Sequence, residues 1–239
     1  MLERVTVTSY LTPLREGGSL PAIVEADNLG TYVLKFRGAG QGPLALVAEI
    51  ICAGLARALG FRVPDLALAW LDPKIAASEP DQEIQELLRA SEGLNLAVDF
   101  LPGSAGFDPL GWTAGEAFAS ELLWLDALTL NVDRTWRNPN LLVWHGDIWL
   151  IDHGAALYFH HDWSRADPAK PYDARNHVVK GQATKLAQAH DKLAPLVTPE
   201  LLAQVTASVP EQWWGERGAG AYIEQLAERV PLVPEVIRL

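Results

Sequence analysis

Three side chains in the second half of the sequence, Asp133, Asn138 and Asp152, are of types that suit metal-assisted chemistry. Two carboxylates and one amide supply hard oxygen ligands for Mg²⁺ and leave one carboxylate free as a general base. Phosphoryl transfer needs this set, because the metal neutralises phosphate charge while the base orients the attacking hydroxyl. Their joint use requires that the fold bring all three to one place.

A hairpin between Asn138 and Asp152 is predicted to do this. Residues 141–151 indicate two strands joined by a tight turn centred on residues 146–147, where a Gly-Asp pair supplies the backbone freedom. With that turn, the start of the first strand lies opposite Asp152. The order Asp-x-x-x-x-Asn, hairpin, Asp is typical of kinases and predicts Asp133 as the base and the other two residues as magnesium ligands.

A lysine and a glutamate in the first half of the chain could complete a catalytic nucleotide site. Lys35 is the one lysine of the predicted strand 31–37, where kinases place the lysine that holds the α and β phosphates, although an exposed strand lysine is also common. Glu49 has apolar helical neighbours, so we expect it to be buried and to need a partner. Lys35 is the natural candidate, and pairing with Arg57 or Arg62 is the structural alternative.

Two backbone segments are predicted to contact the nucleotide beside Lys35. Gly17-Gly18-Ser19 lies between two predicted strands, where backbone amides could approach the β and γ phosphates, although a Gly-Gly turn also makes an ordinary hairpin. Asp99-Phe100-Leu101 lies where a strand leaves the first lobe, so its backbone could bind adenine. ATP and Mg are therefore the predicted cofactors.

The elements around these residues predict an α+β protein with a β-rich first lobe and a mainly helical second lobe. Strand-forming runs fill the first third of the chain, interrupted by a helix over residues 43–59. Residues 102–111 hold three Gly and two Pro in ten positions, which is typical of a boundary. We therefore expect a nucleotide-binding N-lobe over 1–102 and a C-lobe with the catalytic loop and hairpin over 103–239.

The second lobe is predicted to begin with a long helix. The capping box Thr113-Ala114-Gly115-Glu116 predicts its start, because the Thr and Glu side chains can satisfy each other's backbone amides, and it would run to about Leu130. Further helices are predicted over residues 182–193, 198–209 and 221–230. These elements together predict a bilobal, protein-kinase-like fold.

Composition and charge exclude several classes of protein. At 239 residues and 49% hydrophobic content, the chain can bury a core without cross-links. Cys52 is the only cysteine, so we expect neither a disulfide within the chain nor a cysteine-based zinc site, as suits a reducing cytoplasm. The net charge of −11 disfavours nucleic acid as a partner. No stretch approaches 18 uninterrupted apolar residues, so a cytoplasmic protein without membrane contact is expected.

Taken together, these residues resemble the HipA-like kinase family, a bacterial relative of the lipid and protein kinase superfamily, and more closely its short single-domain members. The likeness extends from about Gly17 to Asp162 and is most specific in residues 131–140 and in Ile151-Asp152-His153-Gly154. It implies the residue roles given above, with Ser/Thr phosphorylation as the type of reaction.

The sequence departs from the family pattern in three respects. His153 replaces the aromatic or acidic residue that usually follows the metal-binding Asp, the phosphate loop lacks a nearby lysine, and the chain is much shorter than the family's toxins. The toxin activity, which targets a tRNA synthetase, is therefore not transferred. The acceptor stays open between a protein and a small molecule.

Three other interpretations stay open. The candidate side chains could serve structure alone, by capping turns and ending a strand. A pseudokinase or a nucleotide-binding regulatory module would keep the fold without transfer. A metal-dependent hydrolase would use imidazoles and a carboxylate, although adjacent histidines on an extended chain point to opposite sides. Its candidate ligands are His153, His160, His161 and Asp162.

Overall fold

The computed structural model describes residues 1–14 and 20–239, so the predicted phosphate loop, Gly17-Gly18-Ser19, lies outside the described residues. The described residues form two compact units. The first unit consists of Met1–Leu46 and Pro64–Pro102, and the second consists of Val47–Val63 and Gly103–Leu239.

The first unit is built, in its described residues, around five strands: β1 (Glu3–Pro13), β2 (Ala22–Ala26), β3 (Thr31–Lys35), β4 (Leu66–Leu71) and β5 (Gly93–Asp99). They close into a barrel in the order β1-β2-β3-β5-β4, in which β1 and β4 run parallel and the other neighbours antiparallel. Alternate side chains face the core. In β3, Tyr32 and Leu34 are buried while Lys35 is half-buried.

Two helices begin in this part of the chain. α1 (Pro43–Ala58) starts at a proline and is followed by Gly60, whose φ of 92° ends the helix, so the predicted helix over 43–59 is confirmed. α2 (Gln82–Ala90) starts after Asp81, whose carboxylate accepts a hydrogen bond from the Glu83 amide.

The second unit is mainly helical and is centred on α3 (Glu116–Thr129). Residues 122–129 of α3 are all buried, which is typical of a helix that other elements surround. The later helices are α4 (Leu186–Leu193), α5 (Pro199–Thr206), α6 (Ala219–Arg229) and α7 (Val233–Val236). Short strands form the sheets β6-β7-β8 and β9-β10, with β6 (Ala105–Gly106), β7 (Leu141–Trp144), β8 (Asp147–Leu150), β9 (Tyr172–Asp173) and β10 (Ile237–Arg238).

The capping box predicted at the start of α3 is wrong. Gly115 precedes the helix and makes no side-chain bond to it. The Glu116 carboxylate instead pairs with Lys185 Nζ at 2.9 Å, so a tertiary ion pair replaces the local cap. α4 is shorter than predicted, because residues 180–182 form a separate 3₁₀ turn.

The order of elements confirms the predicted α+β class, with a strand-rich first part and a helical second part. Of the helices in the described parts of the chain, none combines the length and the apolar character that crossing a bilayer requires.

Candidate active site

The hairpin that separates Asn138 from Asp152 is formed by β7 and β8, with a register that differs from the predicted one. Trp144 pairs with Asp147, so the turn residues are His145 and Gly146, with φ of 50° and 84°. A two-residue hairpin turn of this kind needs positive φ at both central positions. The turn predicted over residues 146–147 is therefore wrong by one position, and the start of β7 lies opposite Leu150.

Asp152 nevertheless reaches the start of β7, because the ladder continues for one step beyond the two strands. The Ile151 amide donates to the Asn140 carbonyl at 3.1 Å, which places Asp152 directly after a residue bonded to the segment that carries Asp133 and Asn138. Asn140 and Asp152 have φ of 49° and 54°. Left-handed backbone costs about 1–3 kcal/mol at a non-glycine residue and concentrates at functional sites.

Asp133 and Asn138 lie together as the sequence predicts. Asp133 Oδ2 accepts hydrogen bonds from Asn138 Nδ2 at 2.8 Å and from Asn140 Nδ2 at 3.1 Å. Asn138 is exposed, Asp133 is half-buried and Asn140 is buried. Both amides donate to Oδ2, so they orient the carboxylate without using its Oδ1.

Behind these side chains lies a buried carboxylate that sequence reasoning missed. Asp126 on α3 is 1% exposed, and its Oδ2 accepts bonds from Arg134 Nε at 2.7 Å and His177 Nε2 at 2.9 Å. Its Oδ1 accepts a bond from Asn131 Nδ2 at 3.2 Å. Burial by itself raises the pKa of Asp126, but the Arg134 guanidinium and the His177 bond hold that pKa below its ordinary value. Asp126 is thus an ionised carboxylate with three donors.

Arg134 connects Asp126 to the segments that carry the candidate ligands. It follows Asp133 directly in the chain, and its side chain is fully buried. Its Nη1 donates to the Asn140 carbonyl, and its Nη2 lies 3.3 Å from His153 Nδ1. Because a guanidinium only donates, His153 Nδ1 is the acceptor. We refer to Asp126, Arg134 and His177 as the buried cluster.

The structure places the other predicted residues on several elements. Lys35 is the last residue of β3, in the first unit, where it pairs with Leu96 of β5. Glu49 is 3% exposed, which confirms its predicted burial, and it lies in the part of α1 that belongs to the second unit. The pairing of Lys35 with Glu49 stays a prediction.

Asp99-Phe100-Leu101 begins with the last residue of β5, where Asp99 pairs with Tyr32 of β3, and continues beyond the strand in the first unit. The amides of Asp99 and Phe100 donate to the carbonyls of Asp65 and Thr31, at 2.8 Å and 3.0 Å. Burial, and next the neighbouring Asp65, raise the pKa of the Asp99 carboxyl. Any hydrogen bond from this segment to a base must therefore use its carbonyl groups or the Leu101 amide.

Two residues of the alternative hydrolase site, His160 and Asp162, make contacts elsewhere in the fold. His160 is buried, and its Nδ1 lies 3.2 Å from the Tyr222 hydroxyl. Burial lowers the pKa of His160 to about 3. Asp162 accepts hydrogen bonds from Ser164. Within residues 1–14 and 20–239, no group of three or more His, Cys, Asp or Glu side chains is placed to hold a metal ion.

Comparison with known proteins gives one family and several related folds. A model of the HipA-like kinase family matches residues 7–229. The proinflammatory kinase CtkA of Helicobacter pylori has a similar structure, with a TM-score of 0.63, 12% identity, and coverage of 98% of this chain and 96% of that chain. A Golgi casein kinase with Mn and ADP bound also has a similar structure, with a TM-score of 0.53 and 13% identity. That match covers 98% of this chain and 73% of that chain. No curated protein matches the sequence significantly.

Proposed function

The chain belongs to the HipA-like kinase family and has a kinase-like fold, and from this premise we propose that it is an ATP- and Mg-dependent kinase. Family membership supports phosphoryl transfer as the general class of reaction. The observation that carries the proposal is the contact of Asp133 with Asn138 at 2.8 Å, beside the strand end that leads into Asp152. The products would be ADP and a phosphate ester of the acceptor, whose hydroxyl proton passes to the base.

Asn138 and Asp152 are the proposed metal ligands. Asn138 uses its Nδ2 on Asp133, so its Oδ1 is the atom that can serve as a hard oxygen donor, and Asp152 is an exposed carboxylate after β8. Two protein ligands suit Mg²⁺, which fills its other positions with phosphate oxygens and water. When bound, Mg-ATP supplies the phosphoryl group and the cation that neutralises its charge. The Mn and ADP bound to the similar Golgi casein kinase support the use of a nucleotide together with a divalent metal.

Asp133 is the proposed general base. Both amide donors reach its Oδ2, so Oδ1 is the oxygen that can accept the proton of an acceptor hydroxyl. The bonds from Asn138 and Asn140 also limit rotation of the carboxylate, which orients the hydroxyl for in-line attack.

Residues of the first half of the chain are proposed to hold the nucleotide. Lys35 would contact the α and β phosphates with Glu49 as its partner, and Gly17-Gly18-Ser19 would contact the β and γ phosphates. For adenine we propose the segment Asp99-Phe100-Leu101, through its carbonyl groups and the Leu101 amide, because the other two amides already donate within the protein.

The acceptor is proposed to be a Ser or Thr side chain of a protein, as in the family. A small-molecule hydroxyl is the alternative acceptor, and a pseudokinase or nucleotide-gated module is the alternative function. The retained Asp133, Asn138 and Asp152 favour an active enzyme over a pseudokinase. A cytoplasmic location stays a prediction of the sequence.

Binding and transfer measured on the same preparation test the proposal. Calorimetric titration with ATP, with and without Mg²⁺, should give binding that depends on the metal. Incubation with γ-labelled ATP should transfer label to dephosphorylated casein or to the protein itself. Mg-dependent binding without any transfer would favour the pseudokinase, and the absence of binding would overturn the proposal.

A further inference from the structure

Two segments of the second unit are hydrogen-bonded to each other, mainly where residues 134–136 meet residues 176–178. We call residues 131–140 the base loop, since they carry Asp133 and Asn138, and residues 155–180 the downstream loop, since they follow Asp152. Thr135 and His177 form an antiparallel bridge. Three hydrogen bonds accompany it, namely Trp136 N to Asn176 O at 3.0 Å, Val178 N to Arg134 O at 3.3 Å, and Tyr172 Oη to Asn131 O at 2.7 Å.

The His177 side chain extends this contact to α3. Its Nε2 lies 2.9 Å from Asp126 Oδ2, and both side chains are 1% exposed. The Val179 amide donates to His177 Nδ1 at 3.4 Å, so Nδ1 is an acceptor. The proton of a neutral His177 is therefore on Nε2 and is donated to Asp126. The loop thus presents one defined tautomer to the carboxylate.

Asp126 is also hydrogen-bonded to the base loop, so it connects His177 with that loop. Its Oδ1 accepts a bond from Asn131 Nδ2, and Asn131 Oδ1 in turn accepts a bond from the Asp133 amide at 3.2 Å. Its Oδ2 is shared between His177 and Arg134, the residue after Asp133. Asn131, two positions before Asp133, and Arg134, the position after it, are consequently both bonded to a single buried side chain.

We propose that Asp126 and His177 are positioning residues that join the downstream loop to the base loop and thereby hold Asp133 in its working orientation. This inference rests on the proposed role of Asp133 as the base. Neither residue touches the nucleotide or the acceptor in this assignment, because both are buried behind the base loop. The position of the base then depends on the order of the downstream loop.

The fold offers a matched control in the same loop. His160 is also buried, at 4% exposure, and its Nδ1 lies 3.2 Å from the Tyr222 hydroxyl, away from Asp126. His160→Leu and His177→Leu therefore remove the same chemical group at similar burial. His177→Gln is the rescue variant, because the Gln amide can place an N–H donor near the position of Nε2.

Hydrogen exchange of the protein without nucleotide is the first measurement. His177→Leu should speed exchange of the base-loop amides at least tenfold, whereas His177→Gln and His160→Leu should leave it close to wild type at a temperature where all four proteins are folded. Equal effects of the two Leu variants on the base loop, or an unchanged base loop in His177→Leu, would overturn the inference. This outcome does not depend on catalysis.

Label transfer from γ-labelled ATP to dephosphorylated casein, or to the protein itself, is the second measurement. His177→Leu should lower the turnover number roughly 10- to 100-fold, as outer-sphere partners and small displacements do, while the affinity for Mg-ATP stays within threefold of wild type. His177→Gln should recover most of the turnover, and its failure to do so would contradict the role of the donated proton. If wild type transfers no label, the proposed function fails, and the exchange experiment still decides whether His177 orders the base loop.

Discussion

The exposed edge of the candidate site and the buried cluster behind it use the same kinds of side chain in opposite ways. Asn138 and Asp152 are exposed, whereas Asp126, Arg134 and His177 are almost fully buried. An exposed carboxylate costs little to keep and can meet a ligand, while a buried one must satisfy its oxygen atoms within the protein. Substitution at the edge should therefore lower activity without loss of stability. Substitution in the cluster should lower both activity and stability.

The largest effect is expected at the edge, from Asp152→Asn. This change should abolish detectable transfer, because it weakens the contact with the metal that neutralises the β and γ phosphates. The fold should remain, since Asn adopts left-handed backbone as readily as Asp, and Asp152 has a φ of 54°. A labelled-ATP transfer assay beside a thermal melt checks both statements. Activity at the wild-type level would remove Asp152 from the site.

Asp133→Asn is expected to separate binding from chemistry within the edge. Transfer should fall by roughly two to four orders of magnitude, the usual contribution of a positioned base, while Mg-ATP affinity stays near wild type. Asn138→Ala should differ, because it also loses nucleotide affinity that depends on the metal. Calorimetry and single-turnover transfer on both variants measure the two quantities. If Asp133→Asn loses binding as completely as Asn138→Ala, the roles within this motif are assigned wrongly.

The Arg–Asp ion pair within the buried cluster can be compared with an exposed Arg–Asp ion pair. Arg134 and Asp126 lie 2.7 Å apart with side chains 0% and 1% exposed, and Arg62 and Asp147 lie 3.0 Å apart with side chains 55% and 48% exposed. Asp126→Asn should lower the free energy of unfolding by about 3–5 kcal/mol, because it leaves Arg134 charged and buried without its counterion.

Asp147→Asn is the matched control for that change. It should cost at most about 1 kcal/mol, as is typical of surface ion pairs. Urea unfolding of both variants measures the difference. Equal losses of stability would mean that burial does not separate the two pairs and would contradict the distinction between edge and cluster.

Apart from the Asp147→Asn control, Lys35→Ala should give the smallest of these effects. Lys35 is half-buried on β3, so its removal should leave the fold intact. A lost charge-assisted hydrogen bond of about 1.5–3 kcal/mol corresponds to roughly a 10- to 150-fold increase in the ATP concentration needed for half-maximal transfer. A titration of initial transfer rate against ATP measures this. Wild-type behaviour at limiting ATP would identify Lys35 as a solvated strand lysine.

The edge of the site could be predicted from local spacing, and the cluster could not. Asp133 and Asn138 are five positions apart and meet directly, so their types and separation were sufficient. Asp126 carries the same signal that identified Glu49, a carboxylate within an apolar helix. Its partners are 5, 8 and 51 positions away, however, and no periodicity of the chain connects α3 with His177.

Two local predictions failed because other parts of the protein decided the outcome. The hairpin turn uses positive φ at His145 and Gly146, whereas the Gly-Asp pair favoured a turn one position later. The cap of α3 depends on Lys185, which competes for Glu116 from far along the sequence. The fold class and the order of the helices and strands were predictable, since they follow from the hydrophobic pattern and the turn residues.

The pairing of β9 with β10 has a consequence for synthesis on the ribosome. Ile237 and Arg238 run parallel to Tyr172 and Asp173, and the Ala174 amide donates to the Arg238 carbonyl at 2.8 Å. At about 5–20 residues per second, the strand that completes this sheet emerges several seconds after the segment it pairs with. Until then, β9 in the downstream loop of a nascent chain has no β10 to pair with. The newly made protein therefore acquires its full second unit only after translation has passed residue 238.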